Sequence, residues 1–160
     1  MKKSMFTLVA VVALLVMAFP FMTASAQESQ TSRSLSFTEA QVNATFWVTN
    51  PRNRHISNVY VNLQPNQVTI TATYTQRISR TGATEQHQLS VTMVPALVNG
   101  RVQWNVAAAS ADGQPASAEL LAQINAHLAA SWRRWVSSTR PAGRLTGVAI
   151  TEETITFTYN

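Results

Sequence analysis

The chain has 160 residues, no cysteine and a formal net charge of +5 at pH 7. Without cysteine it can hold no disulfide, no thiolate-based zinc or iron–sulfur site and no lipid-modified N-terminal cysteine. Both lysines, Lys2 and Lys3, lie at the N-terminus, so the rest of the chain carries ten arginines against seven carboxylates, a net charge of +3. This mild basicity permits contact with anionic lipid head groups or polyanionic polymers, or serves only solubility. No run of basic residues indicates nucleic-acid binding.

The N-terminal segment Met1–Ala26 has the pattern of a secretory signal peptide. Its apolar run Phe6–Phe19 follows two lysines, Pro20 breaks the run, and Ala24-Ser25-Ala26 forms a small-x-small cleavage site. An uncleaved membrane anchor is the alternative, but the run is shorter than the roughly 20 residues that span a bilayer comfortably. The sequence therefore predicts cleavage before Gln27 and a secreted or cell-envelope protein, away from cytosolic ATP, NAD and nucleic acid.

The first predicted elements after the leader are a short lead-in and a helix. Residues Gln27–Ser36 are rich in Ser, Gln and Thr, which is typical of a flexible segment. Thr38 followed by Gln41 fits a capping box and predicts the start of a helix. Pro51 disfavours helical geometry at the residue before it, so the helix should end by Asn50.

Alternating apolar and polar residues predict a meander of four antiparallel strands. Threonines alternate with apolar residues, as expected for strands with one buried face. Turn chemistry at Gln64–Gln67 and the type I′ signal Asn99-Gly100 connect neighbouring strands. The polar stretch Gln76–Gln88 is interpreted as a projecting hairpin tip, and Asp112–Pro115 should end the sheet. The four strands are centred on Val59–Leu63, Val68–Thr75, Leu89–Met93 and Val102–Ala108.

A long helix and a final hairpin complete the predicted domain. Apolar residues recur at spacings of three and four over about five to six turns, from near Pro115 to the breakers Pro141 and Gly143. The hairpin Val148–Tyr159 follows. The sequence thus predicts one α+β domain over residues 37–160, an antiparallel meander sheet wrapped on a long helix in the order α-β-β-β-β-α-β-β. The apolar stripe of the helix consists of Leu121, Ile124, Leu128, Trp132 and Trp135.

The titratable residues show no catalytic or metal-binding pattern. His55, His87 and His127 lack the spacing that a metal site requires. No Gly-x-Ser-x-Gly elbow or phosphate-binding glycine loop occurs. We therefore expect neither an enzyme nor a bound cofactor or metal. A triad assembled in space would require His55, His87 and Glu85 to converge in one cleft with other polar residues.

Large aromatic residues are concentrated on the predicted inward faces. They fill the space between sheet and helix, or they line an apolar groove for an acyl chain or another extended ligand. A third interpretation places the tryptophans and arginines of the long helix at a membrane surface. In the groove interpretation, arginines at the mouth meet an anionic head group. The candidate ligand-binding residues are Phe46, Tyr74, Trp104, Ile124, Leu128, Trp132 and Trp135, and the candidate head-group or polyanion contacts are Arg133, Arg134, Arg140 and Arg144.

Four segments resemble the small bacterial members of the tubular lipid-binding (TULIP) group, in which a long curved sheet wraps a helix. The segments are Phe37–Asn43, Val61–Ile70, Val98–Val102 and Val148–Phe157, and the resemblance extends over most of residues 37–160. It implies a non-catalytic protein that binds a lipid or a hydrophobic small molecule at the cell envelope.

Two functions remain open from the sequence. The first is an exported, non-catalytic domain that binds a lipid or another extended apolar ligand between sheet and helix. The alternative is an envelope structural or protein-interaction domain with a fully packed core and no ligand. That domain would act through a sheet edge or through the tip Gln76–Gln88, where charge reversal at Arg77 and Arg80 would abolish capture of a partner.

Overall fold

The computed structural model describes residues 32–50, 54–78, 82–139 and 143–160. The predicted leader, Arg80 and Arg140 lie outside these residues. The predicted α+β class is confirmed, with two antiparallel sheets in place of one. The elements are β1 Arg33–Thr38, α1 Glu39–Thr45, β2 Arg54–Gln64, β3 Gln67–Arg77, β4 Thr84–Val98, β5 Arg101–Ala111, β6 Gln114–Pro115, α2 Ala118–Ile124, a π-helical segment Asn125–Ala129, α3 Ala130–Thr139, β7 Leu145–Ile150 and β8 Thr154–Tyr159.

The predicted meander forms the larger sheet, in the order β2-β3-β4-β5-β6. Its turns follow the predicted chemistry: Asn66 has a φ of 63°, and Asn99 and Gly100 have φ values of 53° and 73°, as a type I′ turn requires. The prediction for Asp112–Pro115 was wrong in part. Its Asp-Gly turn reverses the chain into the two-residue β6, so Pro115 lies in a strand and not in a helix.

The hairpin tip between β3 and β4 is shorter than predicted. The ladder continues to the pair Arg77 and Thr84, so much of the polar stretch Gln76–Gln88 belongs to paired strands. Polar residues on both faces are compatible with this pairing because the ladder hydrogen bonds are made by the backbone. The described part of the tip presents an exposed Ile78.

The smaller sheet has the order β1-β8-β7 and contains an unpredicted strand. Arg33–Ser36, assigned to the flexible lead-in, pair with β8 as part of β1. Only Leu35 and Phe37 face the core in β1, so its alternation is too short to distinguish from a loop. Its partner is about 120 residues away, as in the Ser36–Thr156 hydroxyl contact. The observed order is therefore β-α-β-β-β-β-β-α-β-β.

The long helix runs from Ala118 to Thr139, about the length that the stripe predicts. Ser117 caps its start by accepting a hydrogen bond from the Leu120 amide. The stripe prediction was wrong at Leu121, which is 36% exposed. The π-helical segment has more residues per turn than an α-helix. It therefore rotates the first turns, so that Leu120 and not Leu121 packs on the core.

Helix α1 covers the free edge of β2. The Asn43 side chain donates to the Val61 carbonyl and accepts from the Val61 amide, both at 2.8 Å. One turn earlier, Glu39 Oε2 accepts from the Leu63 amide at 2.8 Å, and Glu39 Oε1 accepts from the Tyr60 hydroxyl. These side chains occupy the place of a neighbouring strand, so the edge that could pair with another chain is partly closed. The predicted capping box of Thr38 and Gln41 starts this helix.

Candidate functional site

The seven predicted ligand-binding residues all lie in one hydrophobic core, and none is more than 9% exposed. The rings of four of these residues form a contiguous aromatic cluster. Trp132 stacks on Trp135 with a centroid distance of 5.1 Å and meets Trp104 and Phe46 edge-on at 5.2 and 5.9 Å. Tyr74, Ile124 and Leu128 are completely buried. The aromatic residues therefore fill the space between sheet and helix, and Trp104 and Trp135 also border grooves at the surface.

A groove of about 300 Å³ lies between α1 and α3. Trp135 lies at its buried side, where its indole Nε1 donates to the Thr45 hydroxyl at 3.1 Å. Trp47, just past the end of α1, is 66% exposed and forms an apolar wall. Arg134 provides the charge. The lining residues are Thr45, Trp47, Ser131, Arg134, Trp135, Ser138 and Thr139.

Trp47 was missed as a site residue by the sequence analysis. A signal was present. Val42 and Phe46 are four residues apart and face the core together. The residue that follows Phe46 must point away from that face, so a tryptophan at this position is a large apolar side chain in solvent.

A second groove, of about 280 Å³, lies on the other side of α3, against β5. Trp104 and Val136 provide its apolar lining. The Arg133 guanidinium spans it and donates to the Trp104 carbonyl at 3.1 Å. The adjacent arginines Arg133 and Arg134 therefore serve two different grooves, because consecutive residues project about 100° apart around a helix.

Arg144 borders a third cavity, of about 430 Å³, between the β4–β5 turn and β7. Its side chain lies so close to Gly100 that a Cβ there would meet Arg144 Cγ at 2.5 Å. The described members of the predicted head-group set, Arg133, Arg134 and Arg144, thus line three separate cavities and do not surround one mouth. Arg140 lies outside the described residues.

Two indole donors in the core have no hydrogen-bond partner among the described residues. They are Nε1 of Trp104 and Nε1 of Trp132. An unsatisfied buried donor costs about 1–3 kcal/mol. Trp104 also borders the groove against β5.

His87 forms a polar cluster with two carboxylates at the end of β4. Its Nδ1 is 2.7 Å from Asp112 Oδ2, and its Nε2 is 3.3 Å from Glu85 Oε1. A general base needs a free ring nitrogen facing the substrate, and here both nitrogens face carboxylates. His55 is absent from the cluster: the strand register places it one rung away, on the opposite face of the sheet. The cluster also lies apart from the three cavities.

The Asp112 carboxylate is expected to make stability depend on pH. Hydrogen bonds from His87 and from the Gln88 amide lower the pKa of Asp112 below its ordinary value of 3.8. A lowered pKa in the folded state stabilises the fold above the unfolded-state pKa, and this contribution is lost as the pH falls through the folded-state pKa. The variant Asp112→Asn should therefore be less stable than the wild type at neutral pH, and the difference should shrink in acid.

Urea unfolding of both proteins from neutral pH down to about pH 2 measures this difference across the titration range of an aspartate. Glu152→Gln, which removes an exposed carboxylate in the β7–β8 turn, is the matched control and should follow the wild-type profile. A difference for Asp112→Asn that is constant with pH would show that the carboxylate does not titrate with folding.

Among the described residues no group of three or more His, Cys, Asp or Glu side chains is arranged to hold a metal ion. No helix in the described ranges has the length and hydropathy needed to cross a bilayer. Comparison of the chain with models of protein families, with curated proteins and with solved structures finds no match. The resemblance to the TULIP group therefore stays a prediction.

Proposed function

We propose that the chain is an exported, non-catalytic domain that binds a lipid, or a similar extended apolar ligand with an anionic end, in the groove between α1 and α3. The observation that carries this proposal is that the exposed indole of Trp47 and the side chain of Arg134 line the same groove. Export rests on the predicted leader. The ligand position differs from the interior site suggested by the sequence, because the aromatic residues expected to line that site fill the core.

The apolar part of the proposal rests on Trp47 and Trp135. A tryptophan that is 66% exposed leaves a large apolar surface in water, and covering that surface is favourable by about 25 cal/mol per Å². The groove volume of about 300 Å³ is at the lower end of the range for small-molecule sites. It suits part of an acyl chain or a compact apolar group, with the remainder of the ligand outside.

The anionic part rests on Arg134. No carboxylate among the described residues forms an ion pair with it, and none lines the groove. The neighbouring hydroxyls of Ser138 and Thr139 donate to the Trp135 carbonyl. The guanidinium is thus the donor best placed for an incoming carboxylate or phosphate, which it can bind through two parallel hydrogen bonds.

The test begins with the exported chain purified under native conditions. Native mass spectrometry and organic extraction detect a ligand acquired in the host, and titration with oleate, followed by tryptophan fluorescence, measures uptake. Trp47→Ala and Arg134→Gln should each weaken oleate binding about tenfold, as expected for loss of a major apolar contact or of a charge-assisted pair.

The matched controls are Ile78→Ala and Arg77→Gln. They remove an exposed apolar side chain and an exposed arginine at the β3–β4 tip, and binding should stay at the wild-type level. If the wild type carries no extractable lipid and takes up no oleate, the proposal is wrong. That result would favour the packed-core interaction domain.

A further inference from the structure

The β4–β5 hairpin extends beyond its neighbour in the larger sheet. The last pair that joins β4 to β3 is Met93 with Val68, whereas β4 continues to Val98. Because β3 begins at Gln67, opposite Val94, four residues of β4 run past the end of β3, a length of about 13 Å at roughly 3.3 Å per residue. The type I′ turn Asn99-Gly100 closes the hairpin. The Gly100 carbonyl accepts a hydrogen bond from the Leu145 amide at 3.2 Å, which joins the turn to β7.

Two consecutive apolar side chains lie at the end of this hairpin. Leu97 is 46% exposed and Val98 is 40% exposed. Successive residues of a strand point to opposite faces, so the pair makes the hairpin end apolar on both sides. A single exposed aliphatic residue needs no explanation, but two adjacent ones beside a turn form a local apolar tip.

Exposed arginines surround this apolar tip. Arg101 is paired with Val98 across the hairpin, and Arg144 lies against Gly100. Arg33 is paired with Tyr159, which is in turn paired with Leu145 next to Arg144. Arg101, Arg144 and Arg33 are all exposed.

The described acidic residues lie elsewhere on the molecule. Glu85 and Asp112 are at the other end of the larger sheet, and Glu119 is on the first turn of the long helix. Glu152 and Glu153 are in the β7–β8 turn, at the end of β7 away from Leu145. Glu39 is on α1, where its backbone amide bonds to Glu153. The hairpin end therefore carries three arginines and no acidic side chain among the described residues.

The cavity beside the tip has the size and lining of a head-group site. It has a volume of about 430 Å³ and combines Leu97 with Arg144, Thr146 and Asn160. The guanidinium of Arg144 and the hydroxyl of Thr146 can donate to a lipid phosphate, and Leu97 can contact the acyl chains attached to it.

We propose that the chain docks on a bilayer containing anionic lipids through the β4–β5 hairpin. Leu97 and Val98 enter the interfacial region, and Arg33, Arg101 and Arg144 pair with lipid phosphates. The apolar tip favours a lipid surface over a soluble polyanion, because a polymer in water offers no apolar region for these side chains. This surface is separate from the groove between α1 and α3, so the proposal stands independently of the proposed function.

The β3–β4 tip provides an internal comparison. It carries Arg77 and the exposed Ile78, a similar pairing of charge with an apolar side chain. However, the carboxylates of Glu85 and Asp112 lie near this tip around His87, on the face of the ladder opposite to Arg77. This tip therefore has acidic side chains beside its arginine, and substitutions here form the matched control.

The experiment measures co-sedimentation of the exported, purified chain with vesicles. We expect binding to phosphatidylcholine vesicles that contain phosphatidylglycerol, weak binding to phosphatidylcholine alone, and a decrease as salt is added. The double variant Arg101→Gln/Arg144→Gln should bind about 30-fold more weakly, from about 1 kcal/mol per arginine near an anionic surface. Leu97→Ser/Val98→Ser should bind about tenfold more weakly although it keeps every charge. Arg77→Gln/Ile78→Ser should bind as the wild type does.

A second measurement does not depend on truncated side chains. Because the chain has no cysteine, Val98→Cys can be labelled with an environment-sensitive fluorophore, and Ile78→Cys serves as its control. Emission should shift to the blue on anionic vesicles for the label at position 98 only. Equal shifts at both positions, or unchanged vesicle binding by Leu97→Ser/Val98→Ser, would overturn the proposal. Loss of vesicle binding in Trp47→Ala alone would also overturn it and would place the contact at the α1–α3 groove.

Discussion

Replacement of Trp132 by alanine is expected to lower the free energy of unfolding by about 3–5 kcal/mol, the usual cost of truncating a large aromatic side chain in a packed core. Trp132 is completely buried and contacts the rings of Trp104, Trp135 and Phe46. Its removal leaves a cavity at the point where helix, larger sheet and α1 meet. Urea unfolding followed by far-UV circular dichroism measures the loss.

The matched control for Trp132 is Leu121→Ala. Both residues belong to the apolar stripe that the sequence predicts, but Leu121 is 36% exposed, and its truncation should cost less than about 1 kcal/mol. If Trp132→Ala costs as little as the control, the interior of the protein in solution is not filled as described. An interior ligand site between sheet and helix would then regain support.

The parts of the fold that depend on local sequence could be predicted. The capping box at Thr38, the turn at Asn99-Gly100 and the period-two alternation of β3 each involve residues close together in the chain. Local steric and hydrogen-bonding preferences determine such features. They therefore gave a correct start for α1, a correct turn and a correct strand.

The parts that depend on distant residues could not be predicted. Strand β1 exists because β8 lies beside it, and its own pattern has only Leu35 and Phe37 as apolar positions. The division into two sheets likewise depends on which strands pair with each other. Pairing between strands that are far apart in the chain leaves no signal in the local sequence. The π-helical segment, which displaced Leu121 from the core, also has no marker in the spacing of the stripe.

The candidate site was predictable in composition but not in form. Large aromatics and arginines were correctly expected on the same helix, and Trp135 and Arg134 do meet in one groove. Whether the aromatic residues fill the space between sheet and helix or line a groove there depends on the distance between these elements. The periodicity of the sequence carries no information about that distance. The position of α1 beside α3 makes the groove, and the hydrogen bond from Trp135 to Thr45 joins residues 90 positions apart in the chain. Trp47 lines the same groove because it follows α1 directly.

The second large effect is expected at Asn43, because its side chain satisfies both backbone groups of a buried edge-strand residue. Val61 is completely buried, and its amide and carbonyl both bond to Asn43 at 2.8 Å. Asn43→Ala leaves both groups without their partner. At about 1–3 kcal/mol for each unsatisfied group, and with some access for water at the edge, we expect a loss of about 2–4 kcal/mol in urea unfolding.

Asn43→Asp distinguishes the contributions of the two hydrogen bonds to stability. The aspartate can still accept from the Val61 amide but places a carboxylate beside the Val61 carbonyl, so it should remain destabilised at neutral pH and recover in acid, where the protonated carboxyl donates again. Asn105→Ala, which truncates an exposed asparagine in β5, is the control and should change stability by no more than about 0.5 kcal/mol. If Asn43→Ala is as stable as this control, water replaces the two hydrogen bonds between Asn43 and Val61 with no loss in the free energy of unfolding. The edge of β2 would then be open to pairing with another chain, which is the condition that the interaction-domain alternative requires.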